Sequence, residues 1–318
     1  MRIARLARLL PAVAVALMAT GAWAWNDTGH KTIALIAWDD LTPTVRGKIT
    51  ALLQKHPQYA TLIQTKGTTD DESHLLDMMT AATWPDLIRT PKPENRQYQH
   101  SPWHYTDFPY ITGTLPPNKQ HPAALSEDWK AGDLPDNILP ALKQCEAEIA
   151  DPKSTDEQKA IALAWILHLT GDIHQPLHAT SWFSEEFPDG DKGGNSVFVN
   201  TGGTAINLHA YWDGLLGKYV SLDATRTVAA EIKKDHPRSE FAEQLKDTVF
   251  KDWALESFEV CKTTVYMNGK IPHGLAAKDV APPLTKAYQD DALALGRKRI
   301  ALAGYRLADQ LNRLFADK

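Results

Sequence analysis

The sequence predicts an all-α fold, built as a single mainly helical domain, and three observations support this prediction. Apolar residues recur at three- and four-residue spacing over most of the chain, which is the period of an amphipathic helix. Alternating apolar residues are confined to Ser196–Asn200 (SVFVN), so a short β-hairpin or strand is expected only near 196–206. The 318 residues contain no repeat or low-complexity linker, and one domain is the simpler interpretation of that length.

The predicted helices follow one another with recognisable ends. Thr42 is expected to cap a helix with Pro43 in its first turn. Thr155, or Ser154 before it, should cap the clearest helix, and Pro176 should end that helix. The predicted helices span residues 29–40, 43–55, 70–84, 134–150, 155–175, 208–219, 239–266 and 283–316. Loops rich in proline or glycine are predicted at 89–102, 107–124 and 188–204.

The N-terminus has the pattern of a secretory signal peptide. Three arginines precede the apolar stretch from Leu9 to Ala19, and Ala22-Trp23-Ala24 fits the small-x-small cleavage rule. We therefore expect residues 1–24 to be removed between Ala24 and Trp25. The mature domain, residues 25–318, should then be soluble, without a membrane partner, and secreted or periplasmic.

The charge balance argues against binding nucleic acid through a basic surface. Loss of the three signal-peptide arginines changes the formal charge from −5 to −8. A chain of this charge that handles phosphates needs fixed cations to attract them.

The two cysteines, Cys145 and Cys261, leave two alternatives open. An exported chain meets an oxidising compartment in which they could form one disulfide. Two unpaired thiols, buried as small apolar residues, are about equally expected.

The chemistry is indicated by histidines and aspartates at ligand spacing. His168 and Asp172 lie one helical turn apart, as do His209 and Asp213, and His178 follows Pro176. A pair at i and i+4 can converge on one divalent ion. Imidazole and carboxylate together favour zinc over magnesium or calcium.

These residues lie within a longer pattern that resembles the S1/P1 nuclease family, the zinc-dependent single-strand nucleases and 3′-nucleotidases. The resemblance runs in order over residues 25–213 and is carried by Trp25, His30, TWPD at 83–86, WHYTD at 103–107, HLTGDIHQPLH at 168–178, GGN at 193–195 and NLHAYWD at 207–213. The C-terminal third has no matching motif. The resemblance implies a helical fold related to zinc-dependent phospholipase C, and a monomer is expected.

The resemblance implies three zinc ions per chain. One would be held by Asp86, His104, His168 and Asp172. Asp172 would bridge to a second ion, which His30 and the amino nitrogen and carbonyl oxygen of Trp25 complete. The third would be held by His178, His209 and Asp213.

The resemblance also implies an activity and a substrate site. Asp86, Asp172 and Arg89 would be catalytic, with Arg89 on the scissile phosphate and a zinc-bridging hydroxide as nucleophile. Tyr105 would stack on a base and Asp107 would bind its edge. The expected substrates are single-stranded DNA and RNA, cut to 5′-phosphate products, and nucleotides with a 3′-phosphate.

Two alternatives stay open at this stage. A zinc-dependent phospholipase C also starts at a tryptophan and cleaves phosphodiesters, but in lipids. A zinc-storage protein would use the same ligands without catalysis, although Arg89 argues against it. The remaining histidines were assigned no ligand role: His174 is expected in an outer position or at the surface, and the others are expected to be solvated, namely His56, His74, His100, His121, His236 and His273.

Overall fold

The computed structural model describes residues 25–90, 92–116, 135–203, 205–219, 221–276 and 281–316. Over these residues the chain is mainly helical, which confirms the predicted fold class. The predicted signal peptide lies outside them, as do residues 117–124 of one predicted loop. Among the described residues, no helix combines the length and the apolar character that crossing a membrane requires.

The described elements follow the predicted order with changed ends. The helices are α1 Asp27–Asp40, α2 Pro43–Leu53, α3 Asp70–Ala81, α4 Trp84–Leu87, α5 Ile138–Ala150, α6 Asp156–Asp172, α7 Leu208–Asp213, α8 Leu222–Asp235, α9 Phe250–Val260 and α10 Lys286–Leu314. The strands are β1 Phe108–Ile111, β2 Thr180–Phe183, β3 Phe198–Val199 and β4 Ile206–Asn207.

Side-chain caps fix the start of the helices, as the sequence predicts. The Thr42 hydroxyl accepts a hydrogen bond from the Val45 N–H, and Pro43 occupies the first turn of α2. Thr155 and Gln158 form a reciprocal capping box at the start of α6. Each cap pairs backbone N–H groups that would otherwise lack an intrahelical acceptor.

Helix α6 lies at the centre of the domain. Its residues from Ala162 to Asp172 are all buried, so the helix is enclosed on every side rather than amphipathic. Helices α1, α5 and α10 pack around it, and α1 packs closely on α10. A Cβ at Gly304 of α10 would lie 2.5 Å from the Ile36 side chain, so only glycine permits this approach. The His/Asp pair of α6 is thereby held inside the core.

Two predicted helices differ from the structure, and helix α8 was missed. The helix predicted at 208–219 ends at Asp213, followed by Gly214 and by Gly217 at φ +75°. The helix predicted at 239–266 is replaced by two short 3₁₀ turns, α9 and a π-helical turn, Cys261–Val265. Helix α8 was not predicted, although it buries Thr225, Val228, Ala229 and Ile232 on one face at helical spacing.

The short strands divide between a predicted and an unpredicted pair. Strands β3 and β4 pair antiparallel as the expected hairpin. Strands β1 and β2 pair in parallel, with Phe108 opposite Thr180. Their pairing joins segments far apart in the sequence, and no local turn pattern in the sequence predicts it.

His56 is buried, contrary to the expectation that it is solvated. Only 3% of the residue is exposed, and its ring packs edge-on against Trp84 with centroids 4.5 Å apart. The Gln58 N–H donates to His56 Nδ1 at 3.1 Å, which requires a neutral ring.

We predict that acid destabilises the native protein through His56. Burial lowers the pKa of this ring from 6.5 to about 4. Between these values the unfolded chain binds a proton that the folded chain excludes. The stability from the neutral ring, up to about 3 kcal/mol, is therefore present above pH 6.5 and is lost as the pH falls towards 4.

The matched control is His56→Phe, which keeps an aromatic ring against Trp84 but has no site for the proton. The melting temperature of the wild-type protein should fall more steeply than that of the variant between about pH 7 and pH 4. Equal slopes in the two proteins would contradict the prediction.

Candidate metal centre

Three groups of buried histidines and aspartates converge inside the domain. In each group the potential ligand atoms all lie within 4.8 Å of one another. The first cluster is Asp86, His104 and His168; the second cluster is His30, His168 and Asp172; the third cluster is His178, His209 and Asp213. The structure thus brings together all eight His and Asp side chains that the resemblance implied as ligands.

The first cluster joins residues from α4, α6 and the short turn Ser101–His104. His168 Nε2 lies 3.0 Å from His104 Nδ1, 3.2 Å from Asp172 Oδ2 and 4.0 Å from Asp86 Oδ1. Ligands about 2.0–2.1 Å from a tetrahedral zinc lie about 3.3 Å from each other. These four side chains therefore have nearly the spacing of a zinc coordination shell.

Asp172 faces two clusters with its two carboxylate oxygens. Oδ2 lies 3.0 Å from His104 Nδ1, whereas Oδ1 lies 3.3 Å from His30 Nε2 on α1. The His30 and His168 rings stack with centroids 4.0 Å apart, which sets the two clusters side by side. This is the arrangement that a bridging carboxylate requires.

The third cluster is formed by α7 and the turn Pro176–His178. His209 Nε2 lies 3.1 Å from His178 Nε2 and 3.4 Å from Asp213 Oδ2. His209 and Asp213 are one helical turn apart on α7, so one helix face presents both.

Outer hydrogen bonds orient the ligand side chains. Three histidines each hydrogen-bond a backbone carbonyl through Nδ1. His168 Nδ1 bonds Ala82 O at 2.8 Å, and His209 Nδ1 bonds Gly193 O at 2.6 Å. His178 Nδ1 bonds His104 O. A ring that donates from Nδ1 to a carbonyl keeps the Nε2 lone pair for a metal. Gln175 Nε2 donates to Asp213 Oδ1 at 2.7 Å and leaves Oδ2 for the cluster.

The protonation of the clusters also fits a bound cation. Burial lowers the pKa of His30 and takes that of His209 to about 3, so both rings are neutral, the form that binds metal. Burial likewise lowers the pKa of His168, but Asp172 and Asp86 outweigh it and raise the value to about 9. The carboxylates of Asp172 and Asp86 thus favour a positive charge beside them. A metal ion could supply this charge instead of a proton on His168.

Unpartnered buried atoms give a direct test of whether a metal fits. Both nitrogens of His30, Oδ1 of Asp172 and Oδ2 of Asp213 are buried without a hydrogen-bond partner among the described residues. Such atoms are costly unless something satisfies them. Each belongs to a cluster, and nitrogen and carboxylate oxygen suit zinc. The residues therefore fit the metal that the sequence implied.

Trp25 is anchored beside the clusters. Its indole is fully buried, and a Cβ at Gly29 would lie 2.7 Å from Trp25 Cβ. The next residue, Asn26, donates its backbone N–H to Asp213 O at 3.1 Å and caps α1 with its side chain. The backbone of Trp25 is thereby fixed between the α1 ligand and the α7 ligand.

A cleft of about 470 Å³ opens onto the third cluster. His104, His178 and His209 line it, together with the three residues assigned to substrate: Arg89, Tyr105 and Asp107. Arg89 Nη1 donates to Asp86 Oδ1 at 3.3 Å, so the guanidinium lies beside the first cluster. Tyr105 lines the cleft and is 38% exposed, so its ring is accessible from solvent. Burial raises the pKa of the Asp107 carboxyl to about 6.

Several cleft and outer residues were not found from the sequence. The cleft is also lined by Leu177, Ser181, Phe183, Asp189, Lys192, Gly193 and Asn195. Phe183 lies on β2, whose pairing the sequence did not predict. Gln175 and Gly193 lie within recognised motifs, so their motif positions could have indicated a role.

His174 and the two cysteines are buried in the protein core. His174 is fully buried; its Nδ1 bonds Thr170 O at 2.7 Å and its Nε2 bonds Arg306 Nη1 at 3.0 Å. It is thus a buried residue rather than a surface one, and its side chain hydrogen-bonds Thr170 and Arg306. Cys145 and Cys261 are both buried and unpaired, the second of the two alternatives.

Comparison with known proteins gives a consistent result. The sequence model of the family described as S1/P1 Nuclease matches residues 25–316, beyond the motif-bearing region and into the C-terminal helices. The chain is 25% identical to Nuclease S1 of Aspergillus oryzae, over 96% of this chain and 97% of that protein. It is 26% identical to Endonuclease 3 of Arabidopsis thaliana, over 95% and 92%. It is 27% identical to Nuclease P1 of Penicillium citrinum, over 55% and 66%.

Proposed function

The chain belongs to the S1/P1 nuclease family, and from this premise we propose that it cleaves single-stranded DNA and RNA at a three-zinc site. Family membership makes it a hydrolase of phosphodiester bonds that acts on nucleic acids, with zinc as its metal. It does not favour the phospholipase alternative. The single observation that carries the proposal is the convergence of eight His and Asp side chains into three buried clusters, two of which meet at the two oxygens of Asp172.

The proposed ligand sets combine the convergence of the eight His and Asp side chains with the role that the resemblance implies for Trp25. Asp86, His104, His168 and Asp172 would hold the first ion, and His178, His209 and Asp213 the third. The second would be held by Asp172, His30 and the Trp25 amino nitrogen and carbonyl oxygen. When bound, these ions would lower the pKa of a water molecule towards 7 and neutralise charge on phosphate oxygens. Asp172 would serve catalysis by fixing the spacing of two ions.

Arg89 would bind the scissile phosphate. Its contact with Asp86 Oδ1 at 3.3 Å points the guanidinium along the edge of the first cluster and into the cleft. A planar guanidinium matches two phosphate oxygens and stabilises the charge that develops on them. Departure of the 3′-oxygen would leave a 5′-phosphate on one product, and the same site would remove a terminal 3′-phosphate.

Tyr105 and Asp107 would bind a base next to that phosphate. Tyr105 offers a ring face for stacking, and the half-buried Asp107 offers a carboxyl group to the base edge. A base can reach this ring only after it leaves its neighbours in the strand, which favours single-stranded substrates.

We also propose that the active protein is an exported monomer cut between Ala24 and Trp25. The family match begins at residue 25, which supports that position. A free amino group at Trp25 would be available as a zinc ligand only after such a cut.

The test of the function measures zinc and activity together. Mature protein should contain about three zinc ions per chain and hydrolyse single-stranded DNA much faster than duplex DNA. Chelation should abolish the activity and zinc should restore it. Cleavage of phosphatidylcholine but not DNA, or full activity with one zinc per chain, would overturn the proposal.

We predict that Tyr105→Ala weakens substrate binding and leaves zinc unchanged. Stacking is worth about 1–3 kcal/mol per base, which corresponds to about a 5- to 150-fold rise in KM on single-stranded DNA. Tyr105→Phe is the control, because it keeps the ring face and should stay within about threefold of the wild type. An unchanged KM for Tyr105→Ala would remove this residue from the base site.

We predict that one extra residue before Trp25 disrupts the second zinc site. In a chain that starts Met-Trp25, the amine becomes a peptide nitrogen, which does not bind zinc at neutral pH. The protein should fold and bind about one zinc fewer, and its hydrolysis rate should fall by orders of magnitude.

The control is a second extended protein that carries a protease recognition sequence directly before Trp25, measured before and after the cut that exposes Trp25, which intact mass confirms. Zinc content and activity should both return. Full activity in the extended form would show that the Trp25 amine is not a ligand.

A further inference from the structure

The segment Gly190–Gly194 beside the third cluster has an unusual backbone. Four of its five residues have positive φ: Gly190 at +84°, Lys192 at +59°, Gly193 at +61° and Gly194 at +80°. Lys192 adopts this left-handed conformation although it carries a side chain, which such backbones disfavour. The segment therefore needs specific contacts to hold it.

Asp191 supplies those contacts from inside the segment. Its side chain is fully buried, and its carboxylate accepts three hydrogen bonds. Trp182 N–H donates to Oδ1 at 2.8 Å, while Gly194 N–H and the Tyr266 hydroxyl donate to Oδ2 at 2.9 and 2.6 Å. One carboxylate thus ties the segment to β2 and to the turn after α9.

The Gly193–Gly194 peptide connects Asp191 to a cluster side chain. Its N–H donates to Asp191, and its carbonyl, Gly193 O, accepts from His209 Nδ1 at 2.6 Å. Because a peptide unit is planar, the direction of its N–H fixes that of its C=O. A carboxylate on the N–H also polarises the unit and strengthens the carbonyl as an acceptor.

Space around Gly193 shows how closely this peptide is enclosed. A Cβ on Gly193 would lie 2.6 Å from Leu177 O and 3.6 Å from His209 Nδ1. The peptide can lie this close to the Leu177 carbonyl only because residue 193 is glycine, whereas the contact with the His209 ring is an ordinary one.

We propose that Asp191 is a positioning residue for the third cluster and acts on His209 through the Gly193–Gly194 peptide. The chain of contacts holds the proton of His209 on Nδ1 and leaves Nε2 for zinc, as a carboxylate does when it bonds a metal-binding histidine directly. The proposal rests on the proposed function, in which His209 binds the third ion.

The test is the zinc affinity of Asp191→Asn, measured by competition with a chelator. An amide has one acceptor oxygen, so its NH₂ group must face the N–H of either Trp182 or Gly194. One zinc per chain should bind about 10- to 100-fold more weakly, and the other two should stay as in the wild type. Activity should fall at limiting zinc and recover in excess zinc.

Tyr266→Phe is the matched control. It removes one donor to Asp191 but leaves both backbone hydrogen bonds, so zinc affinity should stay within about threefold of the wild type. If Asp191→Asn does not fold, Asp191→Glu keeps the charge and both oxygens but displaces them by one methylene, and it should weaken the same zinc. Unchanged zinc affinity in the folded variant, with only a lower melting temperature, would overturn the proposal.

His209→Ala separates this inference from the proposed function. Loss of one zinc in His209→Ala together with wild-type affinity in Asp191→Asn would refute the role of Asp191 alone. Retention of all three ions in His209→Ala would refute the ligand set itself.

Discussion

The buried carboxylate of Asp172 is the constraint on which the rest of the site depends. A carboxylate removed from water must be matched by positive charge or by hydrogen-bond donors. Burial acts to raise the pKa of Asp172, but the surrounding histidines, chiefly His168 and His178, hold it well below its ordinary range. The carboxylate is therefore ionised inside the core, and its neighbours on α1, on α6 and in the turn before β1 are arranged around it. A metal pair is the most economical way to satisfy so many convergent ligand atoms.

The C-terminal third of the chain carries no ligand, yet it holds the ligand-bearing helix in place. Helix α6 ends at Asp172, and two residues later His174 accepts from Arg306 of α10, while its carbonyl accepts from Arg299 at 3.1 Å. The Glu256 carboxylate of α9 forms ion pairs with both Arg299 and Arg306, and the shortest N···O distance is 2.7 Å. These hydrogen bonds and ion pairs link the residues after α6 to α9 and α10, so the buried network can specify one position for the end of α6. It gives a physical reason why the family match continues to residue 316.

The sequence predicted which His and Asp side chains converge, because most of them lie at a fixed local spacing or within a recognised motif. His168 with Asp172 and His209 with Asp213 needed only the helical period, and the motifs around Asp86 and His104 supplied the order. The features that could not be predicted are backbone contacts and the pairing of segments far apart in the sequence. The contact made by the Gly193 carbonyl could not be predicted, because a backbone group is the same in every residue. The β1–β2 pairing that places Phe183 in the cleft depends on tertiary contacts. His56 was misplaced for the same reason, since one histidine carries no period that reports its burial.

An acidic protein can act on nucleic acid if the positive charge that attracts the phosphates is confined to the cleft. The chain has 39 acidic and 34 basic side chains, so it lacks the excess of positive charge that holds a duplex by its phosphates. The cleft brings Arg89 and Lys192 together with the carboxyl groups of Asp107 and Asp189, beside the neutral histidines of the third cluster. Zinc bound by the proposed ligands would add fixed positive charge beside this cleft. Affinity would then come from one phosphate at the metals and one base on Tyr105, two contacts that a flexible single strand can make together and a stacked duplex cannot. In this view strand selectivity follows from the small size of the charged region, because a broad basic surface would bind duplex and single strand alike.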